Sequence, residues 1–300
     1  MKKNYILYDL KIESDISISD LNTSESFEQP DIIINSSELS SEELYLLDEK
    51  SLVLNSESFY FAISNIATYH VTDKKYIEIK YHPSATEQEI SLYLLGSCIG
   101  AVLFQNGYLP LHASSIYTEK GCVLFTGDSG AGKSTTLNAF IQKGYKMVTD
   151  DVSAMKVKDN NLEMYSSFPR AKIWKDTTEK LNIDSTQLKK IHRDMDKYSR
   201  PISDIDFHNE TSKPYILYEI NKYDKDDILI EEIFGLEKIK ILINNTYRNY
   251  YLEKIGNRKE HFKQITMLEK LIKVKRIYRP ENKNCISEFV DILEKDFMWV

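Results

Sequence analysis

Eight consecutive residues, Gly127-Asp128-Ser129-Gly130-Ala131-Gly132-Lys133-Ser134, fit the pattern GxxxxGK[ST], and Thr135 follows them. Glycines at these positions let successive backbone N–H groups turn inward around a phosphate, and a helix opening at Lys133 adds its positive end. In such a loop Lys133 reaches the outer phosphates of a nucleotide and the Ser134 hydroxyl is placed to bind Mg²⁺. Asp150-Asp151 follow the next apolar segment, Lys146–Thr149. Neighbouring residues on a strand point opposite ways, so one carboxylate can hold the metal complex while the other faces an acceptor and takes its proton. That division suits phosphoryl transfer. His112, within Leu111-His112-Ala113-Ser114-Ser115, is predicted on the strand feeding the loop strand, where an imidazole could orient Asp151.

The elements that must position these residues can be read from periodicity. Cys122–Thr126 is a short apolar strand before the loop, Lys133–Lys143 a helix closed by Gly144, and Leu111–Tyr117 another strand. Eight of the ten glycines fall between Gly96 and Gly144, so unusual backbone freedom is concentrated there. Residues 1–84 are predicted as a β-rich N-terminal region, with Ser58–Val71 and the alternating Tyr76–Lys80 its clearest strands. Residues 85–300 are predicted as the nucleotide-binding domain. Thr86 and Glu89 make a capping box for a buried helix that ends at Asn106-Gly107. Tyr215–Ile220 and Ile239–Ile243 are strand-like. Ile286, Phe289, Val290, Leu293 and Phe297 share one face of a closing helix. Alternation of strands and helices around the loop argues for a mixed α/β core.

Composition narrows the class. Three hundred residues, 42% hydrophobic and 28% charged, can bury a substantial core without disulfides or metal. Cys98, Cys122 and Cys285 are odd in number and far apart, and are expected to be reduced core thiols. The longest apolar stretch, Leu92–Phe104, is too short to cross a bilayer. With no signal-peptide layout at the N-terminus, a cytoplasmic protein without membrane attachment is expected. A net charge of −7 does not favour nucleic acid as a partner. The charge is uneven, with 13 acids against 4 bases in residues 1–60 and 13 bases against 5 acids in residues 237–283. Such asymmetry could mean that the C-terminal part meets an acidic partner, but solvated faces are the commoner explanation.

LHASS (111–115), GDSGAGKS (127–134) and VTDD (148–151), in this order and spacing, resemble the catalytic core of HPr serine kinase/phosphorylase. The chain looks closest to that enzyme's kinase-like relatives in ribosomal peptide-modification clusters, including lasso-peptide kinases. Weaker similarity extends through the helix LYLLGSCIGAVLFQNG, FPRAKIW (168–174), INNTYRNYYLEKIG (243–256) and VKRIYRP (274–280). The resemblance implies a fold related to phosphoenolpyruvate carboxykinase. It also implies that Gly127–Ser134 binds ATP, Lys133 contacts phosphate, Ser134 and Asp150 hold Mg²⁺, Asp151 is the proton acceptor, and His112 supports it. The family's EIRGLG-type segment is absent, and Phe168-Pro169-Arg170 stands near its place, with Arg170 a candidate to keep part of its role. The family's Pro-Val-Arg-Pro-Gly-Arg-Asn signature is also missing, with Lys197 and Arg200 candidates to supply its charge. These departures argue against phosphorolysis and for a kinase acting on another hydroxyl, on a peptide or protein, such as a ribosomal peptide precursor. A homo-oligomer is compatible with the sequence.

Other readings compete. Asn221-Lys222-Tyr223-Asp224 fits NKxD, a guanine-reading pattern, but no DxxG segment separates it from the glycine loop as a GTPase requires. No LSGGQ-like segment suggests a transporter ATPase. A nucleotide-gated binding protein without transfer chemistry would have no need of Asp151 and His112.

Overall fold

The computed structural model describes residues 2–40, 52–54, 58–159, 161–254 and 257–299. Ile255 and Gly256, which end the 243–256 similarity, lie outside the described residues. Two compact units divide the chain. The first comprises residues 1–108, 190–195 and 248–261, and the second residues 109–189, 196–247 and 262–300.

In the first unit β1 (Lys3–Leu7), β2 (Leu10–Ser14), β3 (Ile32–Glu38), β4 (Leu52–Leu54), β5 (Ser58–Ile63), β6 (Ala67–Thr72) and β7 (Tyr76–Tyr81) form one sheet. Its order is β1-β2-β3-β7-β6-β5-β4, with β3 parallel to both neighbours and the other pairs antiparallel. Period-two burial is clean: Ala67, Tyr69 and Val71, with Ile77 and Ile79 beside them, are buried on one face. Helix α1 (Glu87–Tyr93) starts at the predicted capping box. Thr86 Oγ1 accepts from Glu89 N at 3.3 Å, and Glu89 Oε2 accepts from Thr86 N at 3.0 Å. A five-residue π turn, Leu94–Cys98, interrupts the helix before it resumes as α2 (Ile99–Gln105). The turn falls on the small residues Gly96, Ser97 and Cys98, all buried. The Tyr69 hydroxyl donates to Ile90 O at 3.0 Å, and Phe61 stacks on Tyr69, which ties the helix to the sheet. Although residues 87–105 were predicted with the C-terminal domain, their contacts group them with the N-terminal sheet.

The second unit begins with β8 (Leu109–Leu111), β9 (Ser114–Thr118) and β10 (Gly121–Thr126). After β10 come helix α3 (Lys133–Gln142), β11 (Met147–Thr149), β12 (Ser153–Lys158), β13 (Asn161–Tyr165) and β14 (Arg170–Trp174). Helix α4 (Lys175–Lys180), β15 (Lys189–Lys190), β16 (Lys197–Pro201), β17 (Pro214–Tyr223) and β18 (Leu229–Glu232) follow. The chain closes with α5 (Gly235–Asn244), α6 (Arg258–Leu271), β19 (Lys273–Pro280) and α7 (Ile286–Trp299). The main sheet runs β11-β9-β10-β17-β19-β18, and β10, β17 and β19 are parallel. β10 is buried on both faces, and this accounts for its unbroken apolar run. Val123 and Phe125 pack with Leu137, Phe140, Phe289 and Phe297 of α3 and α7, while Cys122 and Leu124 join Ile241, Leu242, Ile265 and Leu268 on the other face.

Two sequence expectations change. Leu111–Tyr117 is not one strand. It breaks at His112-Ala113, because Leu111 pairs with Ser153 in the small sheet β13-β12-β8 while Ser114 pairs with Phe125 in the main sheet. A buried hydroxyl chain seals the break: Ser115 Oγ to Thr149 Oγ1 and Thr149 Oγ1 to Ser153 Oγ at 2.7 Å each, then Ser153 Oγ to Ala113 O at 3.0 Å. Ile239–Ile243 is not a strand either but the core of α5, whose Ile241 and Leu242 are buried. A short apolar run has no period that separates strand from helix. The three cysteines are free and buried. Among the described residues no helix is long and apolar enough to cross a membrane.

Candidate functional site

Three segments distant in sequence converge beyond the C-terminal end of β10: the break at His112, the loop leading into α3, and the turn after β11. Gly127 starts the loop at φ +135°, and a Cβ there would lie 2.4 Å from Ile220 O of the neighbouring strand. Only glycine fits. Gly132 ends the loop as the N-cap of α3, and no side chain caps that helix. Its first-turn amides therefore remain available as donors toward the cleft. Arg279 Nε, from β19, donates to Ala131 O at 2.8 Å and braces the loop.

Lys133 Nζ donates to Gly127 O at 2.7 Å and to Asp128 O at 3.1 Å, which uses two of its three donors and holds the loop closed. Burial pulls its pKa below the usual value, against the opposing pull of Asp151. Ser134 Oγ donates to Asp150 Oδ1 at 3.4 Å. These two hard oxygens, at the head of an uncapped helix, are the donor pair that a small divalent cation shared with phosphate would use. Burial and then the charge of Asp151 push the Asp150 carboxyl up, while Lys172 pulls the other way.

β11 ends at Thr149, so the acid pair occupies a turn rather than a strand. Asp151 adopts the left-handed φ of +74°. Its Oδ2 accepts from Lys172 Nζ at 2.7 Å, and its Oδ1 lies 3.4 Å from His112 Nδ1. Burial would raise this carboxyl, but Lys172 and then His112 overcome it and hold it far below the ordinary carboxylate range. Burial lowers the His112 pKa against the pull of Asp151. His112 Nδ1 also contacts Asp151 O at 3.1 Å. A carbonyl can only accept, so Nδ1 carries the proton and Nε2 is the bare nitrogen of the neutral ring. The main chain of His112 is fixed as well: its N donates to Asn245 O at 2.7 Å, and Thr126 Oγ1 lies 2.7 Å from both His112 O and Asn245 Oδ1.

His112, Lys133, Ser134, Thr135 and Asp151 face one cleft of about 720 Å³, together with Ser129, Gly130 and Gly132 of the loop. Gly127, Asp128 and Ala131 form the back of the loop and do not line it. Lys133, Lys180, Lys197, Lys222, Arg279 and Lys283 outnumber the carboxylates of Asp151, Asp176 and Glu281. That balance favours an anion such as a polyphosphate. Lys197 lines the cleft with its ammonium 5.1 Å from the Trp174 ring centre. Arg200 is turned to α3, where its Nη1 donates to Asn138 Oδ1 at 2.6 Å, and Arg170 opens β14; neither lines the cleft. Asn221, Lys222 and Tyr223 of the NKxD tetrapeptide continue β17 in register with β19, and only Lys222 reaches the cleft. Sequence reasoning missed Lys172, Asn245, Thr126 and Arg279, because each acts through a contact with a residue distant in sequence that only the folded chain creates.

No family model and no curated protein matches the chain. Among solved structures it is similar to the Hpr(Ser) kinase/phosphatase from Coxiella burnetii, at 16% identity and a TM-score of 0.32, over 63% of this chain and 90% of that one. A likeness at that score and identity carries no weight for fold or activity.

Proposed function

We propose that this chain is a kinase that transfers the γ-phosphoryl group of ATP to a serine- or threonine-type hydroxyl. The observation behind this reading is the meeting of Ser134, Asp151 and His112 at one uncapped helix N-terminus in a cationic cleft, with the buried Asp150 bonded to Ser134 just beneath its lining. Residues 127–135 supply amides and side chains for the phosphates, which makes this segment a P-loop in the functional sense. Lys133 offsets charge on the transferred group. Ser134 and Asp150 are the residues that would hold Mg²⁺, which supplies charge neutralisation between the outer phosphates when bound. Asp151 accepts a hydrogen bond from the attacking hydroxyl and aligns it, with His112 fixing the carboxylate. Its depressed pKa makes it a weak base, so alignment is its main contribution, which suits a transition state with little bond formation to the acceptor.

The acceptor we assign is a peptide or protein, with a ribosomal peptide precursor first among candidates. That choice rests on the sequence resemblance alone; a cytoplasmic site of action rests on the N-terminal sequence and the short apolar stretch, and the preference for a kinase over an HPr kinase/phosphorylase on the missing family signatures. The test is mass spectrometry of candidate peptides after incubation with ATP and Mg²⁺. Addition of one phosphoryl group is expected with the wild type. Asp151→Asn should keep ATP affinity within about threefold and lose roughly 10²–10⁴ in turnover, the usual contribution of a positioned acid or base. Lys133→Ala should abolish transfer while the fold remains. Unchanged turnover in the Asp151 variant would exclude the role given to Asp151, and a wild type that binds ATP but transfers to no acceptor would exclude the kinase reading and leave a nucleotide-gated binding protein.

A further inference from the structure

Asp150 and Asp151 are adjacent, yet the proposed reaction gives them different tasks: one belongs with Ser134 and the other with the acceptor. Two neighbouring carboxylates, one buried and one facing a cleft, repel each other and compete for the same cations. Both are held by a single residue more than twenty positions later. The backbone N of Lys172 donates to Asp150 Oδ2 at 2.6 Å, and its Nζ donates to Asp151 Oδ2 at 2.7 Å. Lys172 sits in the middle of β14, paired with Ser199 of β16 and flanked by the buried Ala171 and Ile173. Strand register therefore sets the height of its amide, and its side chain projects to the face opposite those apolar neighbours. Asp151, at a left-handed φ of +74°, meets that side chain through Oδ2, while its Oδ1 lies 3.4 Å from His112 Nδ1.

We propose that Lys172 is the positioning residue that separates the two acids, with its main chain committing Asp150 to the Ser134 side and its ammonium committing Asp151 to the acceptor side. This role rests on the kinase reading. The two holds differ in kind. A side-chain substitution cannot remove the amide, so Asp150 and the nucleotide side of the site survive it, whereas Asp151 loses its charged partner. A residue that served only stability would not divide its effects in this way.

The experiment compares wild type, Lys172→Met and Lys172→Arg. Equilibrium binding of a fluorescent ATP analogue is measured with and without Mg²⁺. Turnover of γ-labelled ATP is measured with water and with a library of serine- and threonine-containing peptides as acceptors. In Lys172→Met, nucleotide affinity, its Mg²⁺ dependence and the KM for ATP should stay within about threefold of wild type, while kcat falls about 100-fold or more. Lys172→Arg, which restores the charge with a different reach, should recover at least about tenfold of that loss. Should Lys172→Met fail to fold, Lys172→Arg decides alone, and must combine wild-type nucleotide affinity with a lowered kcat. Wild-type kcat in the variants overturns the role of Lys172 while leaving the kinase reading intact. Parallel loss of nucleotide binding and kcat overturns it as well, by showing that Asp150 was not held independently. A wild-type protein that binds the analogue but transfers to neither water nor peptide overturns the kinase reading and this role together.

Discussion

A carboxylate that aligns a hydroxyl must be ionised and aimed at the same time, and the neighbours of Asp151 meet both needs. Lys172 keeps it charged, while the Nδ1–H of His112 bridges its carbonyl and its carboxylate and so restricts rotation of the side chain. If aiming is what His112 contributes, a side chain with a donor at the Nδ1 position should replace it in part. His112→Asn can present an N–H there, so its kcat should fall roughly tenfold, while His112→Leu should lose about 100-fold. Steady-state kinetics at fixed saturating ATP would check this, and equal losses in the two variants would mean the imidazole acts in some other way. Ser134→Ala tests the opposite pair. With one hard oxygen gone, the Mg²⁺ concentration for half-maximal turnover should rise about tenfold while the affinity for metal-free ATP changes little.

Among the elements, the glycine loop imposes the strictest geometry. Gly127→Ala would force a Cβ to within 2.4 Å of Ile220 O at a positive φ, whereas Gly144, at φ +91°, has nothing within 4 Å of a Cβ. Gly144→Ala should cost about 1 kcal/mol, the ordinary left-handed penalty at a helix end. Gly127→Ala should cost about 3 kcal/mol or more, since the main chain of β17 cannot move aside without parting from β10. Denaturant midpoints of the two variants would show the difference, and equal midpoints would mean the loop is not seated against β17. This contrast marks what was legible in the sequence. Gly127 to Ser134, the strand before it and the helix after it are a local pattern, and the chain alone reveals them. The capping box at Thr86 is equally local. Lys172 was invisible, because nothing near it announces a charge partner and its contacts depend on how β14 lies beside the turn after β11. The break at His112 was hidden for a related reason: Leu111 and Ser114 belong to different sheets, and an alternating run looks the same whether one sheet or two receive it. Ile239–Ile243 misled through brevity.

At the scale of the whole molecule, the chain does not build its two units in sequence order, since residues 190–195 and 248–261 return to the first unit after the second has begun. The first of these returns is anchored by charge. Arg193 Nε and Nη2 donate to the two oxygens of Glu89, at 2.5 and 2.7 Å, and Glu89 is also the buried partner in the capping box of α1. The Arg193 pairing is the largest influence on Glu89 and brings its pKa from 4.5 down to about 2, against burial, with the Thr86 bonds assisting. A carboxyl whose folded pKa is depressed contributes stability that is fully present above its unfolded pKa and is lost as pH falls through the folded one. The first unit should therefore lose stability between about pH 4.5 and 2 through this one group. Glu89→Gln keeps a side chain that serves in a capping box but cannot ionise. Its urea midpoint should lie below that of wild type at pH 7 and approach it near pH 2, so that the two pH profiles converge across this window. Profiles that stay parallel would show that the guanidinium holds the segment by packing alone, and that the return of the chain is fixed by the apolar side chain of Ile191 rather than by charge.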